Sequence, residues 1–369
     1  MNIDSKIKRN FGFGCMRLPV QDGQVDHAEF TRMVDAYLES GFNYFDTAHG
    51  YMKRKSEIAL RECLTSRYSR ENYVLTNKLS TQFFESEEEI RPLFESQLEA
   101  CGVDYFDFYL MHAQNRISFA KYKACRAYET ALELQKEGKF RHFGISFHDT
   151  ADVLEQILTE YPQIEVVQLQ FNYVDYEDIS VQSRKCYEVC RKYGKAVFVM
   201  EPVKGGSLVN LPEEAQKVFD DLGGGSNASY AIRFAAGFEG VEMVLSGMSN
   251  LEQLQDNVGF MKDFRPLSPK EHKAVAKVRT ILCSMGMIPC TACRYCTEVC
   301  PTGISIPDLF ACMNNRKLFN SRVYINYYFP FAQKATPADC VGCGRCEAIC
   351  PQNLPIRKLL KDVAAEFEK

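Results

Sequence analysis

Apolar residues in the first 250 positions fall into short runs separated by longer amphipathic stretches. Eight runs are rich in β-branched and aromatic residues: FGFGCM (11–16), NYFDTA (43–48), YVLTNK (73–78), FDFYLMHA (106–113), RHFGISF (141–147), VVQLQFNY (166–173), AVFVMEPV (196–203) and EMVLSGM (242–248). Between them the spacing is helical. In HAEFTRMVDAYLESG, Phe30, Met33, Val34, Tyr37 and Leu38 share one face, and the stretch closes on Gly41. IRPLFESQLEACG does the same with Ile90, Leu93, Phe94 and Leu98 before Gly102. Apolar residues at this period with a terminal glycine predict a helix and its stop. Strands alternating with helices predict parallel βαβ units, and eight units in about 260 residues predict a (β/α)8 TIM barrel. A doubly wound sheet is the alternative, but no G-x-G-x-x-G follows the first strand.

Two stretches punctuate this pattern. GGGSN (223–227) reads as a flexible loop inside the barrel segment, and RPLSPKEH (265–272) as the entry to a last helix. From about Ile288 the chain turns to cysteine, proline and short helices. The expected division is a barrel domain over 1–280 and a small, mainly helical, cysteine-rich domain over 281–369.

Composition narrows the class. The chain has 369 residues, 46% of them hydrophobic, which suits one large core and a smaller domain. A net charge of −4 with 25% charged residues gives no basic stripe for nucleic acid. No apolar run approaches the roughly 20 residues of a membrane span, and the N-terminus lacks the apolar core of a signal peptide. The expectation is a cytoplasmic protein with neither a nucleic-acid nor a membrane partner. Sixteen cysteines stand out there, because stable disulfides are rare in reducing compartments. Eight are scattered and read as small buried hydrophobes. The other eight cluster after residue 289.

Active sites of such barrels lie at the C-terminal ends of the strands. Asp46 ends the second run, with Tyr51 close behind it. Lys78 ends the third and His112 lies near the end of the fourth. Each has an ordinary reading alone; together they form a polar cluster suited to one reaction. A tyrosine is a weak acid at neutral pH, and a lysine cation beside it lowers its pKa. An aspartate holds that lysine, and a histidine directs a substrate oxygen. This set can protonate a carbonyl oxygen while hydride attacks its carbon.

FDTAHGY, LTNK and YLMH, in this order, resemble the aldo-keto reductase superfamily, and the likeness extends over residues 11–260. GKFRHFGIS is similar to its Gly-Lys-x-Arg-x-x-Gly-x-Ser signature, VVQLQFNY to the strand whose Gln binds nicotinamide, and SGMSNLEQLQDN to its adenosine-phosphate segment. The resemblance implies a catalytic tetrad of Asp46, Tyr51, Lys78 and His112, with Tyr51 the proton donor. It implies Ser146 and Gln168 on the carboxamide, Gln253 and Asn257 at the adenine end, and Ser246, Gly247 and Ser249 near the phosphates. Three residues depart from the family's habit: Phe147 stands for an Asn, Met200 for a stacking aromatic, and Asn250 for the cation that clamps a 2′-phosphate. The last leaves NADPH and NADH both open, since a phosphate without a cation loses its strongest hydrogen bonds.

The late cysteines form two runs, Cys290-x2-Cys293-x2-Cys296-x3-Cys300-Pro and Cys340-x2-Cys343-x2-Cys346-x3-Cys350-Pro. A lone C-x2-C pair suits zinc as well, but three cysteines at this spacing with a fourth before proline follow the bacterial ferredoxin pattern. In that pattern the fourth cysteine serves the other cluster. The expectation is two [4Fe–4S] clusters, one on Cys290, Cys293, Cys296 and Cys350, the other on Cys340, Cys343, Cys346 and Cys300. The insert ISIPDLFACMNNRKLFNSRVYINYYFPF reads as helical, then aromatic, with Cys312 spare, and resembles the dicluster domains fused to larger oxidoreductases.

Two functions follow from different classes. One is an NAD(P)H-dependent oxidoreductase acting on a small-molecule carbonyl, with two clusters for electron transfer. The other is a non-catalytic nicotinamide or redox sensor docking on a partner; the intact tetrad favours the enzyme. Hydride carries two electrons and each cluster takes one, and no flavin fingerprint bridges the two. The clusters are therefore structural or sensory, or they serve a flavoprotein or ferredoxin partner, or the barrel itself takes a flavin or an unusual substrate.

Overall fold

The computed structural model describes residues 3–177, 181–284, 286–319, 328, 331–332 and 334–368. Its contacts group into two compact units. The first is the barrel. The second holds the helix Glu213–Asp220, the helix Pro269–Ser284 and the cysteine-rich tail.

All eight apolar runs form barrel strands: β1 (Phe11–Gly14), β4 (Tyr44–Asp46), β5 (Val74–Leu79), β6 (Phe106–Gln114), β7 (Phe140–Phe147), β8 (Val166–Gln170), β9 (Ala196–Met200) and β10 (Val241–Gly247). They close in the order β1-β10-β9-β8-β7-β6-β5-β4, with every pair parallel. The doubly wound alternative is excluded by this closure. Both predicted helices form. His27–Glu39 is capped by Asp26, whose side chain accepts from the Glu29 N–H, and buries Phe30, Met33, Val34 and Tyr37. Ile90–Cys101 ends on Gly102 at φ 65°, a left-handed stop that glycine adopts without strain. Residues 223–226 are loop as expected, with Gly223 and Gly225 left-handed, and Asn227 already begins the helix Asn227–Ala236. Ser268 and Glu271 cap each other's backbone at the start of the helix Pro269–Ser284, within RPLSPKEH.

The barrel interior is a small packed layer. Tyr44, Val74, Phe108, Leu110, Val166, Phe198, Met243 and Leu245 meet there, and the rings of Tyr44, Phe108 and Phe198 lie 5.3–5.7 Å apart. The residues of this layer leave no room for side chains at two positions on neighbouring strands. A Cβ on Gly12 would lie 2.6 Å from Leu245 Cδ2, and one on Gly144 would lie 2.6 Å from Leu110 Cδ2 and 2.7 Å from the Val166 carbonyl. Aromatic bulk and glycine are thus one arrangement. Gly144→Ala should lower barrel stability by about 1–3 kcal/mol, read as a shifted denaturant midpoint. Gly224→Ala, where a Cβ would meet nothing within 4 Å, is the control. Equal midpoints would show that the interior relaxes without cost.

Two features lie outside the expected pattern. A hairpin, β2 (Val20–Gln21) with β3 (Gln24–Val25), turns on Asp22 and Gly23, both at positive φ; Asp-Gly is the usual sequence for such a turn. Beyond the fourth run, β6 ends at Gln114 and the chain enters a helix, Arg116–Ala124. The insert after the first cysteine run is helical over Ile306–Phe319, as expected. Its aromatic part, residues 320–327 and 329–330, lies outside the described residues.

Candidate active site and candidate cluster cradle

Asp46 is the last residue of β4, Lys78 lies near the end of β5, and His112 near the end of β6. On adjacent parallel strands these positions face the same end of the barrel. Lys78 Nζ lies 2.5 Å from Asp46 Oδ1, donates to the Thr47 carbonyl at 2.8 Å, and stands 3.4 Å from Tyr51 Oη. The rings of Tyr51 and His112 meet edge to face at 5.7 Å. All four expected tetrad residues are therefore brought together.

The backbone around them is strained. After Tyr51, the residues Met52, Lys53 and Arg54 have φ of 51°, 58° and 70°, and Ala113 and Glu201 are also left-handed. Non-glycine residues in this region cost of order 1–3 kcal/mol each and gather at functional sites. Here the turn aims Tyr51 back over Lys78.

Electrostatics departs from the sequence argument. Burial, then Asp46, holds the Tyr51 hydroxyl well above its ordinary pKa, against the lowering charge of Arg17; desolvation disfavours a buried phenolate. Burial lowers Lys78 while Asp46 opposes it, and raises Asp46 while Lys78 opposes it. Burial, then Lys78 and His148, pushes His112 well below the usual imidazole range, so its ring is neutral at pH 7. Its Nδ1 lies 2.6 Å from Ser80 Oγ. Sequence reasoning missed Ser80, although it stands two residues beyond Lys78, the spacing of one strand face. It also missed Arg17 and Glu201, 4.0 Å apart, both of which act electrostatically on Tyr51.

The expected nicotinamide residues divide into two sets. Ser146 and Gln168 are register partners on β7 and β8. Ser146 Oγ accepts from the Ala113 N–H at 2.8 Å, and Gln168 Nε2 donates to Asp46 Oδ2 at 3.0 Å, so both stand at the level of the tetrad. Ser246 instead shares the strand face of Phe13, its register partner, and its hydroxyl accepts from Asn257 Nδ2 at 2.9 Å. That bond ties β10 to the helix Leu251–Lys262. Gly247 and Ser249 follow on the exposed side; the Ser249 hydroxyl donates to the Arg17 carbonyl and its N–H to Gln253 Oε1, each at 2.8 Å. Asn250 caps the helix, its side chain accepting from the Gln253 N–H at 2.9 Å. Of the other departures, Phe147 is buried in the outer core, and Met200 ends β9 partly exposed.

The cysteine-rich tail repeats itself beyond its cysteines. Short helices Tyr295–Glu298 and Arg345–Ala348 lead to longer ones, Ile306–Phe319 and Ile356–Phe367. Left-handed residues recur in step: Ala292 with Gly342, Arg294 with Gly344, Gly303 with Asn353. In each copy three backbone amides act to favour the thiolate of the cysteine before proline: Thr302, Gly303 and Ile304 for Cys300, and Gln352, Asn353 and Leu354 for Cys350. For Cys300 burial acts upward, but the Thr302 hydroxyl and these amides outweigh it and lower the thiol. Burial, with Cys290 and Cys350 adding to it, raises Cys296 to about 12 and also raises Cys293. Burial raises Cys346 to about 11, with Glu347 and Cys340 adding.

This donor set fits an iron–sulfur cluster. Cys290, Cys296 and Cys350, from both runs, stand close enough to Cys293 to act on its charge; Cys296 is buried and the other three are partly buried, and four thiolates held together need a cationic core. Among the described residues, no three His, Cys, Asp or Glu side chains close on a single metal ion. A cube spreads its thiolates more widely than one zinc does.

Comparison with known proteins agrees with both halves. Residues 10–280 match the Aldo/keto reductase family, and residues 289–354 match the 4Fe-4S dicluster domain. The chain is 27% identical over 195 residues to the NADH-specific methylglyoxal reductase of Escherichia coli, a match spanning 47% of this chain but only 57% of that one. It is 23% identical over 296 residues to an uncharacterized oxidoreductase of Bacillus subtilis, across 72% of this chain and 90% of the other. An aldo-keto reductase from Bacillus halodurans, in its holo form, is similar in fold, with TM-score 0.59 at 24% identity over 73% of this chain and 91% of that chain. With a family match across most of its length, an eight-stranded barrel and a cysteine-rich tail, the chain belongs to the aldo/keto reductase family and carries a 4Fe-4S dicluster domain.

Proposed function

We propose that this protein interconverts a small carbonyl compound and its alcohol using a nicotinamide cofactor, with NADH preferred, and that its tail holds two [4Fe–4S] clusters for one-electron exchange with a flavoprotein or ferredoxin. The observation that carries the first part is the Lys78 ammonium set between the Asp46 carboxylate and the Tyr51 hydroxyl. The eight cysteines of the two runs are the proposed cluster ligands, crossed between runs as expected from their spacing.

When bound, the nicotinamide supplies hydride to the carbonyl carbon. The chain's own residues manage the proton. Tyr51 keeps its proton through the neutral range because burial and Asp46 disfavour its phenolate. As it passes that proton to the carbonyl oxygen, the Lys78 ammonium at 3.4 Å stabilises the forming phenolate. Neutral His112, steadied by Ser80, directs the carbonyl oxygen without competing as an acid. Ser146 and Gln168 offer a hydroxyl and an amide for the carboxamide, and Gly247, Ser249, Gln253 and Asn257 would hold the adenosine end. Ser246 takes part by fixing Asn257. The preference for NADH rests on Asn250: its side chain is engaged in capping, and no cation stands at its place to meet a 2′-phosphate. The relative named as an NADH-specific methylglyoxal reductase is consistent with that choice.

No helix among the described residues is long and apolar enough to cross a membrane. A thiol-rich chain with this tail suits the reducing cytoplasm, where we place it. The deciding experiment is anaerobic purification with iron and sulfide assay, followed by fluorescence titration with both nicotinamides. Two clusters and tighter binding of NADH are expected. Binding of neither nicotinamide would remove the enzymatic reading, and tighter binding of NADPH would remove the cofactor preference.

A further inference from the structure

The two copies in the tail present different surfaces. In the first loop Thr291 is 3% exposed and Cys293 is partly buried; in the second, the corresponding Val341 is 65% exposed and Cys343 is exposed. The second loop is also thinner, since Gly342 and Gly344 replace Ala292 and Arg294, and a Cβ on Gly342 would meet nothing within 4 Å. Charge differs too. In the first copy Arg294 is neutralised by Asp308 through bonds of 2.6 and 2.7 Å. The same places in the second copy hold Gly344 and Lys358, and Lys358 is exposed. Arg345 is exposed within the loop, and Arg357 donates to the Gly342 carbonyl at 3.4 Å while paired with Glu347. The result is a bare cysteine beside one exposed apolar side chain, with a cationic rim.

We propose that loop 341–345 is the docking face through which the tail exchanges electrons with a small iron–sulfur carrier protein of acidic surface. This rests on the cluster reading above. The cluster on Cys340, Cys343, Cys346 and Cys300 loses one electron and the carrier's centre gains it, or the reverse; no bond is made and no proton moves. Electron transfer between proteins needs the two centres close. Exposed Cys343 would bring the second cluster nearer the surface than the half-buried Cys293 would bring the first. A small patch of this kind matches the short-lived encounters of redox partners, and a cationic rim sets the rate of meeting an acidic partner.

The test uses the full chain with both clusters, and an acidic plant-type [2Fe–2S] ferredoxin as probe. Stopped-flow spectroscopy follows electron exchange, and calorimetry at low salt follows binding. The double variant Arg345→Glu with Lys358→Glu should slow exchange and weaken binding by about tenfold, with iron content and the electron paramagnetic resonance of the reduced clusters unchanged. Glu298→Lys, an exposed change in the first copy, should leave both measurements as they were. Wild-type rates and binding in the double variant, with both clusters present, would overturn the proposal alone. So would a response confined to Glu298→Lys. A wild-type chain holding fewer than two clusters would overturn the cluster reading and this proposal with it.

Discussion

Tyr51→Phe should lower carbonyl reduction by about 10²–10⁴-fold, the range of a lost general acid, while nicotinamide binding stays intact. The change removes one oxygen and little volume, so the edge contact with His112 at 5.7 Å and the strained turn beyond it can persist. Turnover of a reactive dicarbonyl and fluorescence titration of the cofactor separate the two effects. Unchanged turnover would remove Tyr51 from the chemistry. The wild-type pH profile adds a second reading. Activity needs the protonated hydroxyl, so it is present at lower pH and lost as pH rises through the Tyr51 pKa. That pKa is raised well above the ordinary value of 10.0 by burial and Asp46. The alkaline limb should therefore lie above pH 10, not below it as a lysine-lowered tyrosine would require. The hydroxyl works as an acid because its conjugate base is stabilised at the moment of transfer, not because it ionises beforehand.

The gap between sequence and structure here has a physical form. Strands of a parallel barrel are covered on both faces, so they appear as near-continuous apolar runs, and all eight could be found. Asp46, Lys78 and His112 could be found because an ionisable residue ending such a run has few other reasons to be there. What one sequence does not contain is register. The exclusion of side chains at Gly12 by Tyr44, Met243 and Leu245, and at Gly144 by Leu110 and Val166, depends on which residues stand opposite across strands. So does the strand face of Ser246, whose hydroxyl accepts from Asn257. The balance at Tyr51 was misjudged for a related reason: a nearby cation can be read from a motif, but the burial that outweighs it cannot. The β2–β3 hairpin is different: its Asp22-Gly23 turn is legible in the sequence, but strands of two residues are too short to show an apolar run. In the tail the cysteines were legible at once. The repetition of left-handed residues and amide cradles around Cys300 and Cys350 was not, because Ala292 and Arg294 carry no mark of positive φ where Gly342 and Gly344 do.

Cys350→Ala should destroy or degrade one cluster and leave the other whole, and a double variant can say which. If ligation crosses between the runs, Cys350 belongs with Cys290, Cys293 and Cys296, in keeping with its electrostatic influence on Cys293 and Cys296. Adding Cys290→Ala then strikes a cluster already lost, and the effects do not add, as for residues acting on one unit. Iron should fall from about eight atoms per chain to about four in both the single and the double variant, for two four-iron clusters. If each run instead bound its own cluster, Cys350→Ala would strike the second and Cys290→Ala the first, and the double variant would lose nearly all its iron. The paired change Cys290→Ala with Cys300→Ala inverts the logic: crossed ligation predicts the loss of both clusters, and separate ligation the loss of one. Carbonyl reduction by each variant, measured alongside iron, shows whether the barrel still folds. It also meets the mismatch between hydride and one-electron centres, because a barrel that keeps full turnover without clusters does not pass its electrons through them.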